Sequence, residues 1–531
     1  MSYTWSDKVV EELKKRNVKK HVVHGMWTPS GFFHIGNARP ELFTPTIVAN
    51  SLKDAGLKVE HNFIVDDFDD LDKIPKGFDK NKFSQYLGKP LREVPSPVQG
   101  FDSWADYFMS QIKDVADKFG IKPNFMSAYD SYHSGRYDEA IKIILEKSDK
   151  IREIMKKIAG VEKPKEWLPL MVVCEKCGRS ATTTAISWDG EYLSYKCNRD
   201  REYVKSCGYE GRIKPAGGHV KIPWRIYWAA TWFSFGVTFE SGGKDHFTPG
   251  GSVDTGRAFA REIFGIEPPI LYGTEFIQLG KEKMSGSKGN LISMKDWLNF
   301  AEPELLRFLY ASYQPGKVIN FDLKSNKFLL LVERYDMSER CYFGVIDKCL
   351  RHDEKRIAQL KRIYELSQID KSILSLDKLP YQFSYSMAAL YSQLYNEEQT
   401  IEVLKKLGHV NVLTDFEKKR ISKRLRLAKY WVEHYNPSMT IKINESLPQL
   451  DLNKKEKECL LDLSKELDKE WAEEELQQRI YDLAREHEIE PKRFFQLCYR
   501  ILINKTSGPK LAGFILMLGK ERVKKIFGNL G

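Results

Sequence analysis

Two polar loops, far apart in the chain, carry side chains that could bind and neutralise phosphate groups. The first loop, residues 28–37, reads TPSGFFHIGN and follows an apolar stretch. Gly36 would let a ligand approach the backbone, and free N–H groups at the start of a helix attract anions. The second loop, residues 283–290, reads KMSGSKGN and supplies ammonium groups and hydroxyls. Together the loops predict a site that binds phosphate groups.

The order and separation of these loops resemble the HIGH and KMSKS signature motifs of class I aminoacyl-tRNA synthetases, at residues 34–37 and 283–287. Asparagine in the fourth HIGH position and the residues that flank both motifs are similar to class I lysyl-tRNA synthetase. Further similar stretches are DDFD at 66–69, GKDH at 243–246 and GGSVDTG at 250–256. The resemblance therefore extends over almost the whole chain.

This resemblance implies a role in translation, with ATP-dependent activation of L-lysine and transfer of the lysyl group to tRNA(Lys). The lysine carboxylate would attack the α-phosphorus of ATP and release pyrophosphate, with Mg²⁺ held mainly by the phosphates. Such a reaction needs positioning and charge stabilisation but no protein nucleophile. By resemblance, the catalytic residues are His34, Asn37, Lys283, Ser285 and Ser287.

The binding residues that the resemblance implies come from both halves of the chain. The ε-ammonium of lysine needs a carboxylate in its pocket, because an unpaired buried charge is costly. Asp67, Asp69 and Glu41 are alternative acceptors, although a solvated turn also accounts for the acidic stretch. The predicted lysine-pocket residues are Thr28, Glu41, Asp67, Asp69, Trp224 and His246. The predicted ATP-binding residues are Pro29, Ser30, Gly31, His34, Gly36, Asn37, Asp245, Gly250, Gly251, Asp254, Thr255 and Lys283.

Several positions depart from the pattern of the resembled family. Thr274 stands where a tyrosine is usual, and Tyr227 and Thr231 stand where an aspartate and an arginine are usual. These differences leave details of amino-acid recognition open. Relatives often carry a Cys/His cluster near residues 96–108, where this chain has serine, glycine and aromatic residues, so we predict no metal there.

Four cysteines in the middle of the chain have the pattern of a structural zinc site. Cys174 and Cys177 form a CxxC pair, and Cys197 and Cys207 follow a predicted hairpin turn at 187–190. Four thiolates suit tetrahedral Zn²⁺ and leave no position for an activated water. The second pair has nine residues between its cysteines, instead of the usual two to four, so reduced structural cysteines are the alternative.

The first loop follows a predicted strand, and a helical pattern and a second strand follow it. Strand, helix and strand in this order predict a parallel α/β sheet whose ligands bind at the carboxyl ends of the strands. The resemblance makes this a Rossmann-type catalytic domain, interrupted at 75–225 by an insertion and followed by an all-α anticodon-binding domain. The predicted parts are residues 1–75 (first half), 76–220 (connective insertion, with the zinc knuckle at about 170–212), 221–330 (second half) and 331–531 (helical domain).

A predicted helix at 416–435 carries a run of Lys and Arg residues along its length. A charge run is usually a solvated face, but in an RNA-binding enzyme it could contact backbone phosphates. The candidate RNA-binding residues are Lys419, Lys423, Arg424 and Arg426. Residues 493–530 resemble the family's anticodon-binding region, and codon pairing implies a UUU or CUU anticodon.

Composition sets broad limits on the class of protein. In 531 residues, Lys and Arg number 84 against 73 Asp and Glu, so the net charge of +11 would attract a polyanion such as RNA. A hydrophobic content of 42% favours a folded globular protein. Eight cysteines are too few for a disulfide scaffold, and no signal peptide or membrane-spanning stretch is recognisable. We expect a cytoplasmic monomer with no membrane or DNA partner.

Three other functions share part of this sequence pattern. A class I synthetase for another amino acid shares both motifs, although the acidic stretch at 66–69 favours a cationic substrate. A catalytically inactive tRNA-binding paralogue would have no reason to retain His34, Asn37, Lys283 and Ser287. A nucleotidyltransferase of the same superfamily would leave the helical C-terminal part of the chain without a purpose.

Overall fold

The computed structural model describes residues 3–280, 282–284, 291–508 and 510–528, with the main chain but not the side chain of residue 283. Strands and helices alternate in the first half of the chain, and helices alone follow from residue 326 among the described residues. Within the same residues, no helix combines the length and the apolar composition that crossing a lipid bilayer would require.

Contacts divide the chain into two compact units. The first comprises Met1–Asp322 and Asn326–Leu379, and the second comprises Leu323–Ser325 and Pro380–Gly531. The sequence predicted that the helical domain begins at residue 331. Residues 331–379 instead belong to the first unit, where the guanidinium of Arg307 donates hydrogen bonds to the carbonyls of Leu366 and Ser367.

The strands of the first unit form one central sheet and three smaller sheets. In chain order they are β1 (His21–Trp27), β2 (Val59–Val65), β3 (Asn124–Ser127), β4 (Met171–Val172), β5 (Thr183–Trp188), β6 (Leu193–Cys197), β7 (Glu210–Ile213), β8 (Val220–Lys221), β9 (Phe239–Gly243), β10 (Ile270–Thr274), β11 (Ile277–Leu279), β12 (Glu282–Lys283) and β13 (Ile319–Phe321). The central sheet has the order β10-β9-β1-β2-β3, and all its neighbouring strands are parallel. The predicted α/β fold with a parallel sheet is confirmed.

Strands β1 and β2 pair along their whole length, from His21 with Val59 to Trp27 with Val65. Most of their side chains are buried, as expected for parallel strands that are covered on both faces. Both strands end at the same edge of the sheet. The loop after Trp27 therefore lies beside the acidic stretch after Val65.

The insertion between the two halves of the catalytic fold also contributes to the central sheet. Strand β3 pairs in parallel with β2 and forms one edge of the sheet. The expectation that residues 75–225 only interrupt the sheet was wrong, because a four-residue strand is too short to stand out in the sequence pattern. The serine that ends this strand, Ser127, caps the following helix by accepting from the amide of Asp130.

Helices surround the sheets of the first unit. A π-helical turn at Arg39–Phe43 joins the short helix after the first loop to the longer helix that leads to β2. The α-helices are α1 (Trp5–Lys14), α2 (Ile35–Ala38), α3 (Thr44–Asp54), α4 (Lys80–Phe83), α5 (Trp104–Ala116), α6 (Ala128–His133), α7 (Asp138–Glu146), α8 (Ser148–Ala159), α9 (Trp224–Phe235), α10 (Ser252–Ala258), α11 (Met294–Phe300), α12 (Pro303–Ser312), α13 (Asn326–Tyr342) and α14 (Glu354–Ser367).

The cysteine-containing part of the insertion is a small antiparallel sheet in the order β5-β6-β7. Strands β5 and β6 form a hairpin whose loop includes Asp189 and Gly190, which confirms the turn predicted at 187–190. In that loop the Asp189 carboxylate accepts hydrogen bonds from the amides of Glu191 and Tyr192. The turn is therefore closed by its own side chain.

The second unit is helical throughout its described residues, which confirms the prediction of a helical C-terminal domain. Its longest helix begins with a capping box, in which the Thr414 hydroxyl accepts from the Glu417 amide and the Glu417 carboxylate accepts from the Thr414 amide. The helices are α15 (Tyr385–Tyr391), α16 (Glu397–Lys406), α17 (Asp415–His434), α18 (Lys454–Glu466), α19 (Glu473–Glu486), α20 (Pro491–Ile503), α21 (Leu511–Leu518) and α22 (Lys520–Gly528).

Candidate active site

The first polar loop connects the end of β1 to α2 and ends at His34. The Nδ1 atom of His34 accepts hydrogen bonds from the amides of Gly36 and Asn37, at 3.1 and 3.3 Å. Because Nδ1 is an acceptor, the proton of the neutral ring resides on Nε2, which can donate to an anion. A Cβ atom at Gly36 would lie 2.8 Å from that Nδ1, so any other residue at position 36 would displace the imidazole.

Two cavities open at the carboxyl edge of the central sheet. The larger has a volume of about 540 Å³ and the smaller about 230 Å³. Glu41 and His246 line both cavities, so the two join at these side chains. The smaller cavity is lined by four of the predicted ATP-binding residues, His34, Gly36, Asn37 and Asp245. The larger is lined by the predicted Thr28, Ser30, Glu41, Asp69, Trp224 and His246.

Carboxyl groups dominate the polar lining of the larger cavity. Asp66 is 3% exposed, and its Oδ1 atom has no hydrogen-bond partner among the described residues. Burial, reinforced by the charge of Asp69, raises the pKa of Asp66 to about 8. Burial also raises the pKa of Glu240 to about 7, and burial together with the charge of Glu240 raises the pKa of Glu41 well above its usual range. Such groups gain a favourable partner when a cation enters.

Lys221 is a functional candidate that the sequence did not reveal. Its side chain is 7% exposed and forms an ion pair with Asp69 in the wall of the larger cavity. Burial lowers the pKa of Lys221, but the carboxylates of Asp69, Asp70 and Asp66 outweigh it and raise the pKa overall. The sequence around Lys221 contains no motif that predicts a role in the site. The pairing of β8 with β4 places this lysine beside the acidic stretch.

Asp67 does not line either cavity, contrary to the predicted role in the lysine pocket. Its carboxylate accepts hydrogen bonds from the Ser127 hydroxyl at 2.7 Å and from the Tyr129 amide at 2.8 Å. These bonds join the end of β2 to the start of α6. Asp66, its neighbour in sequence, lines the larger cavity instead, because the chain turns after the end of β2 and directs the two carboxylates to different partners.

Several predicted ATP-binding residues also lie away from the two cavities. Thr255 is fully buried and its hydroxyl donates to the carbonyl of Gly251 at 3.0 Å, which corrects its predicted ribose contact. Asp254 accepts from the amide of Gly250 at 2.9 Å and so stabilises the turn before α10. Residues outside the lining of both cavities are Pro29, Gly31, Gly250, Gly251, Asp254 and Thr255.

Aromatic side chains form the remaining wall of the larger cavity. The Trp224 ring is 38% exposed, lies 5.6 Å from the ring of His246 and stacks on Trp228 at 5.6 Å. Trp232, one turn further along α9, is buried, and its Nε1–H donates to Glu240 at 2.5 Å. Two of the residues that depart from the family pattern also line a cavity: Tyr227 the larger and Thr274 the smaller.

The second polar loop begins beside the first. The buried side chain of Met284 lines the smaller cavity together with His34, and its Cε atom lies 3.6 Å from the position that a Cβ on Gly36 would take. Just beyond the loop, the carbonyl of Ile292 accepts from the Ile35 amide at 2.9 Å. The main chain of Lys283 belongs to β12, whereas its side chain and the residues Ser285 and Ser287 lie outside the described residues.

The four predicted zinc ligands converge in the insertion. The sulfurs of Cys174, Cys177, Cys197 and Cys207 all lie within 4.8 Å of one another. Cys174 and Cys207 are 3.7 Å apart, and Cys177 and Cys197 are 3.8 Å apart. Four sulfurs placed tetrahedrally about 2.3 Å from a zinc ion would be separated by about 3.8 Å. The cysteines therefore present a geometry that fits Zn²⁺ despite the wide spacing of the second pair.

The basic helix α17 presents three of its four candidate RNA contacts to solvent, namely Lys419, Lys423 and Arg426. Their spacing of four and three residues places them on one side of the helix. Arg424 is 4% exposed and donates to the carbonyl of Phe383 at 2.8 Å, so its predicted RNA contact is replaced by a structural role.

Comparison with known proteins agrees with this geometry. A family model described as tRNA synthetases class I (K) matches residues 3–370, and another described as Anticodon binding domain matches residues 435–525. A lysine--tRNA ligase of Pyrococcus horikoshii is 36% identical, with 98% of each chain covered. Lysine--tRNA ligases of Thermococcus kodakarensis and Methanocaldococcus jannaschii are also 36% identical with the same coverage. The chain therefore belongs to the class I family of tRNA synthetases that the first of these models describes.

Proposed function

We propose that this protein activates L-lysine with ATP and transfers the lysyl group to tRNA(Lys). The observation that carries the proposal is the junction at Glu41 and His246 between an acidic cavity and the cavity beneath His34. The acidic cavity suits a cationic amino acid, and the adjoining one suits a nucleotide. The names of the relatives, lysine--tRNA ligases, support the same reaction.

The smaller cavity would hold ATP. The Nε2–H of His34 and the side-chain carboxamide of Asn37 are suited to donate to phosphate oxygens, and Lys283 would neutralise charge that develops as pyrophosphate leaves. Ser285 and Ser287 would add hydroxyl donors. Mg²⁺ would be carried chiefly by the phosphates of ATP, as it is bound weakly by isolated side chains.

The larger cavity would hold lysine with its carboxylate towards the junction. Glu41 lies at that junction, close to where the reacting carboxylate must be, and is therefore better placed for the α-ammonium group. Asp66 lines only the larger cavity, and its Oδ1 has no hydrogen-bond partner in the part of the chain that the structure describes, so we assign it the ε-ammonium. Asp69 is already neutralised by Lys221 and is a weaker candidate than the sequence suggested.

The other partners follow from the parts of the chain outside this site. Zn²⁺ bound by the four cysteines would stabilise the small insertion, whose strands are too few to form a large core of their own. The helical C-terminal unit would bind the anticodon region of the tRNA, and the exposed cations of α17 would contact its phosphates. We expect the protein to act as a monomer.

Exchange of labelled pyrophosphate into ATP, measured with each of the twenty amino acids, tests the proposal. Lysine alone should support rapid exchange, and the assay should be run with and without tRNA, because activation could depend on it. Exchange with another amino acid would assign a different specificity, and no exchange under either condition would contradict the reaction.

A pair of variants tests the assignment of the lysine side chain. Asp66→Asn should raise the KM for lysine at least tenfold, because the acceptor for the ε-ammonium loses its charge, while the KM for ATP should change less than twofold. Asp67→Asn is the matched control, since the Asp67 carboxylate accepts from the Ser127 hydroxyl and the Tyr129 amide and lines neither cavity. Equal effects of both variants on the KM for lysine would contradict the assignment.

A further inference from the structure

The guanidinium of Arg39 joins the helix after the first loop to the segments that lead into the second. Arg39 begins the π-helical turn after α2 and is 1% exposed. Its Nη1 atom donates to the carbonyls of Glu275 and Lys317, both at 2.8 Å. Its Nη2 atom donates to the carbonyl of Gln314 at 2.9 Å.

The three carbonyls belong to the base of the small sheet that carries Lys283. Glu275 lies just before β11, which pairs with β12, and it lines the smaller cavity. Gln314 and Lys317 lie in the turn before β13, which pairs with β11 in parallel. The amide of Glu275 also donates to the carbonyl of Pro315 at 2.9 Å. The side chain of Arg39 therefore links the segments that precede β11 and β13 to the helical segment that follows His34.

Only arginine offers the geometry that these contacts use. A guanidinium is planar and presents five donors in a rigid fork, whereas an ammonium is a compact point charge. Burial lowers the pKa of Arg39 to about 10, so the group stays protonated at neutral pH. Its fixed position is supported on the same helix by the Tyr310 hydroxyl, which donates to the carbonyl of Ile35 at 2.7 Å.

We infer that Arg39 is a positioning residue for the adenylation step, which holds the strand pair bearing Lys283 in place relative to His34. Arg39 itself lines neither cavity, and it acts through the main-chain carbonyls of residues 275, 314 and 317. The inference rests on the proposed function, because it assigns Arg39 a part in that reaction. The inference predicts that loss of the Arg39 guanidinium impairs ATP binding and catalysis but leaves lysine binding unchanged.

Arg307 provides a matched control elsewhere in the first unit. It is 2% exposed and its guanidinium also donates to three main-chain carbonyls, those of Phe119, Leu366 and Ser367. None of these residues lines the two cavities. Replacement of Arg307 by lysine should therefore lower the thermal midpoint of unfolding without changing the activity of the folded protein.

The test compares Arg39→Lys, Arg39→Ala and Arg307→Lys by lysine-dependent pyrophosphate exchange, normalised to folded protein. Arg39→Lys should lower kcat at least tenfold and raise the KM for ATP severalfold, with the KM for lysine within twofold of the unsubstituted value. Added guanidinium ion should restore part of the activity that Arg39→Ala loses and should leave the activity of Arg307→Lys unchanged, which a general loss of stability would not reproduce.

Three results would overturn the inference. These are a folded Arg39→Lys with kcat within twofold of the unsubstituted protein, an equal loss of kcat in Arg307→Lys, or failure of both Arg39 variants to fold while Arg307→Lys folds. The third result would show that the guanidinium of Arg39 is needed for folding and not specifically for the reaction. If the unsubstituted protein shows no exchange, the proposed function fails, and calorimetric titration with ATP then tests Arg39 separately: weaker ATP binding in Arg39→Lys supports the inference, and unchanged binding contradicts it.

Discussion

The amide of Ile35 donates a hydrogen bond to the carbonyl of Ile292 at 2.9 Å, which ties the helix after the first polar loop to the residue that follows the second. Met284, on the other side of that loop, lines the smaller cavity with His34. Both ends of the second loop are thus held beside the first. Among the described residues of the two motifs, His34 and Met284 line the same cavity, as a phosphate site shared by both motifs requires.

Lys283→Ala should reduce lysine-dependent pyrophosphate exchange by orders of magnitude, because the ammonium that neutralises the leaving pyrophosphate is lost. Binding of tRNA, measured by filter retention, should be nearly unchanged. Lys295→Ala is a suitable control, since Lys295 is an exposed lysine in α11, soon after the same loop. Normal exchange in Lys283→Ala would show that this lysine has no part in the chemistry.

Cys177→Ser should release the metal that the cysteine cluster is proposed to hold. We expect zinc measured by atomic absorption to fall from about one to well under one ion per chain, with a lower thermal midpoint of unfolding, because four thiolates complete the site. The exposed Cys349, outside the cluster, provides the control Cys349→Ser. Equal zinc content in both variants, or none in the unsubstituted protein, would favour reduced structural cysteines.

The affinity for lysine should increase as the pH rises from 6.5 to 8. Without ligand, burial raises the pKa of Asp66 to about 8 and that of Glu240 to about 7, so Asp66 retains its proton over most of this range and Glu240 only near its lower end. A carboxyl must lose that proton before it can pair with the lysine ammonium. The KM for lysine should therefore fall by up to roughly tenfold per pH unit if one proton is released.

Two measurements check this dependence. Calorimetric titration of lysine in buffers of different ionisation enthalpy should detect proton release on binding. The variant Asp66→Asn should show a flatter profile, since the group with the higher pKa is removed. A KM for lysine that is constant between pH 6.5 and 8 in the unsubstituted protein would contradict the predicted role of these carboxyls.

Replacement of Lys419, Lys423 and Arg426 by glutamine should weaken tRNA binding while leaving tRNA-independent pyrophosphate exchange intact. Each cation that neutralises a phosphate contributes to the salt dependence, so the slope of log affinity against log salt should become shallower by roughly 2 to 3. Glutamine at the exposed Lys8 and Lys14 of α1 and at Lys15, which follows it, gives a control with the same change in net charge. Identical salt slopes for the two triple variants would show that the exposed cations of α17 do not contact the tRNA.

The sequence by itself determined the elements and motifs whose signals are local. These local signals are the glycines and polar residues of 28–37, the apolar pair at 22–23, the alternation at 58–65, the four cysteines and the helical period from about residue 330. Each depends on neighbours a few positions away. The parallel sheet, the hairpin between β5 and β6 and the family were all accessible in this way. Residue type and spacing are sufficient where the physics is that of one strand, one helix or one turn.

Only the tertiary structure decided which polar side chain faces the cavity and which supports the fold. Asp66 and Asp67 are adjacent and chemically identical, yet one has an unpartnered oxygen in the cavity and the other joins β2 to α6. Lys221 and Arg39 acquire their roles from partners far away in the sequence, Asp69 and the carbonyl of Glu275. These contacts join residues that are far apart in the sequence. No local sequence pattern predicts them, because the burial and the charge environment of a side chain depend on which segments the fold brings together.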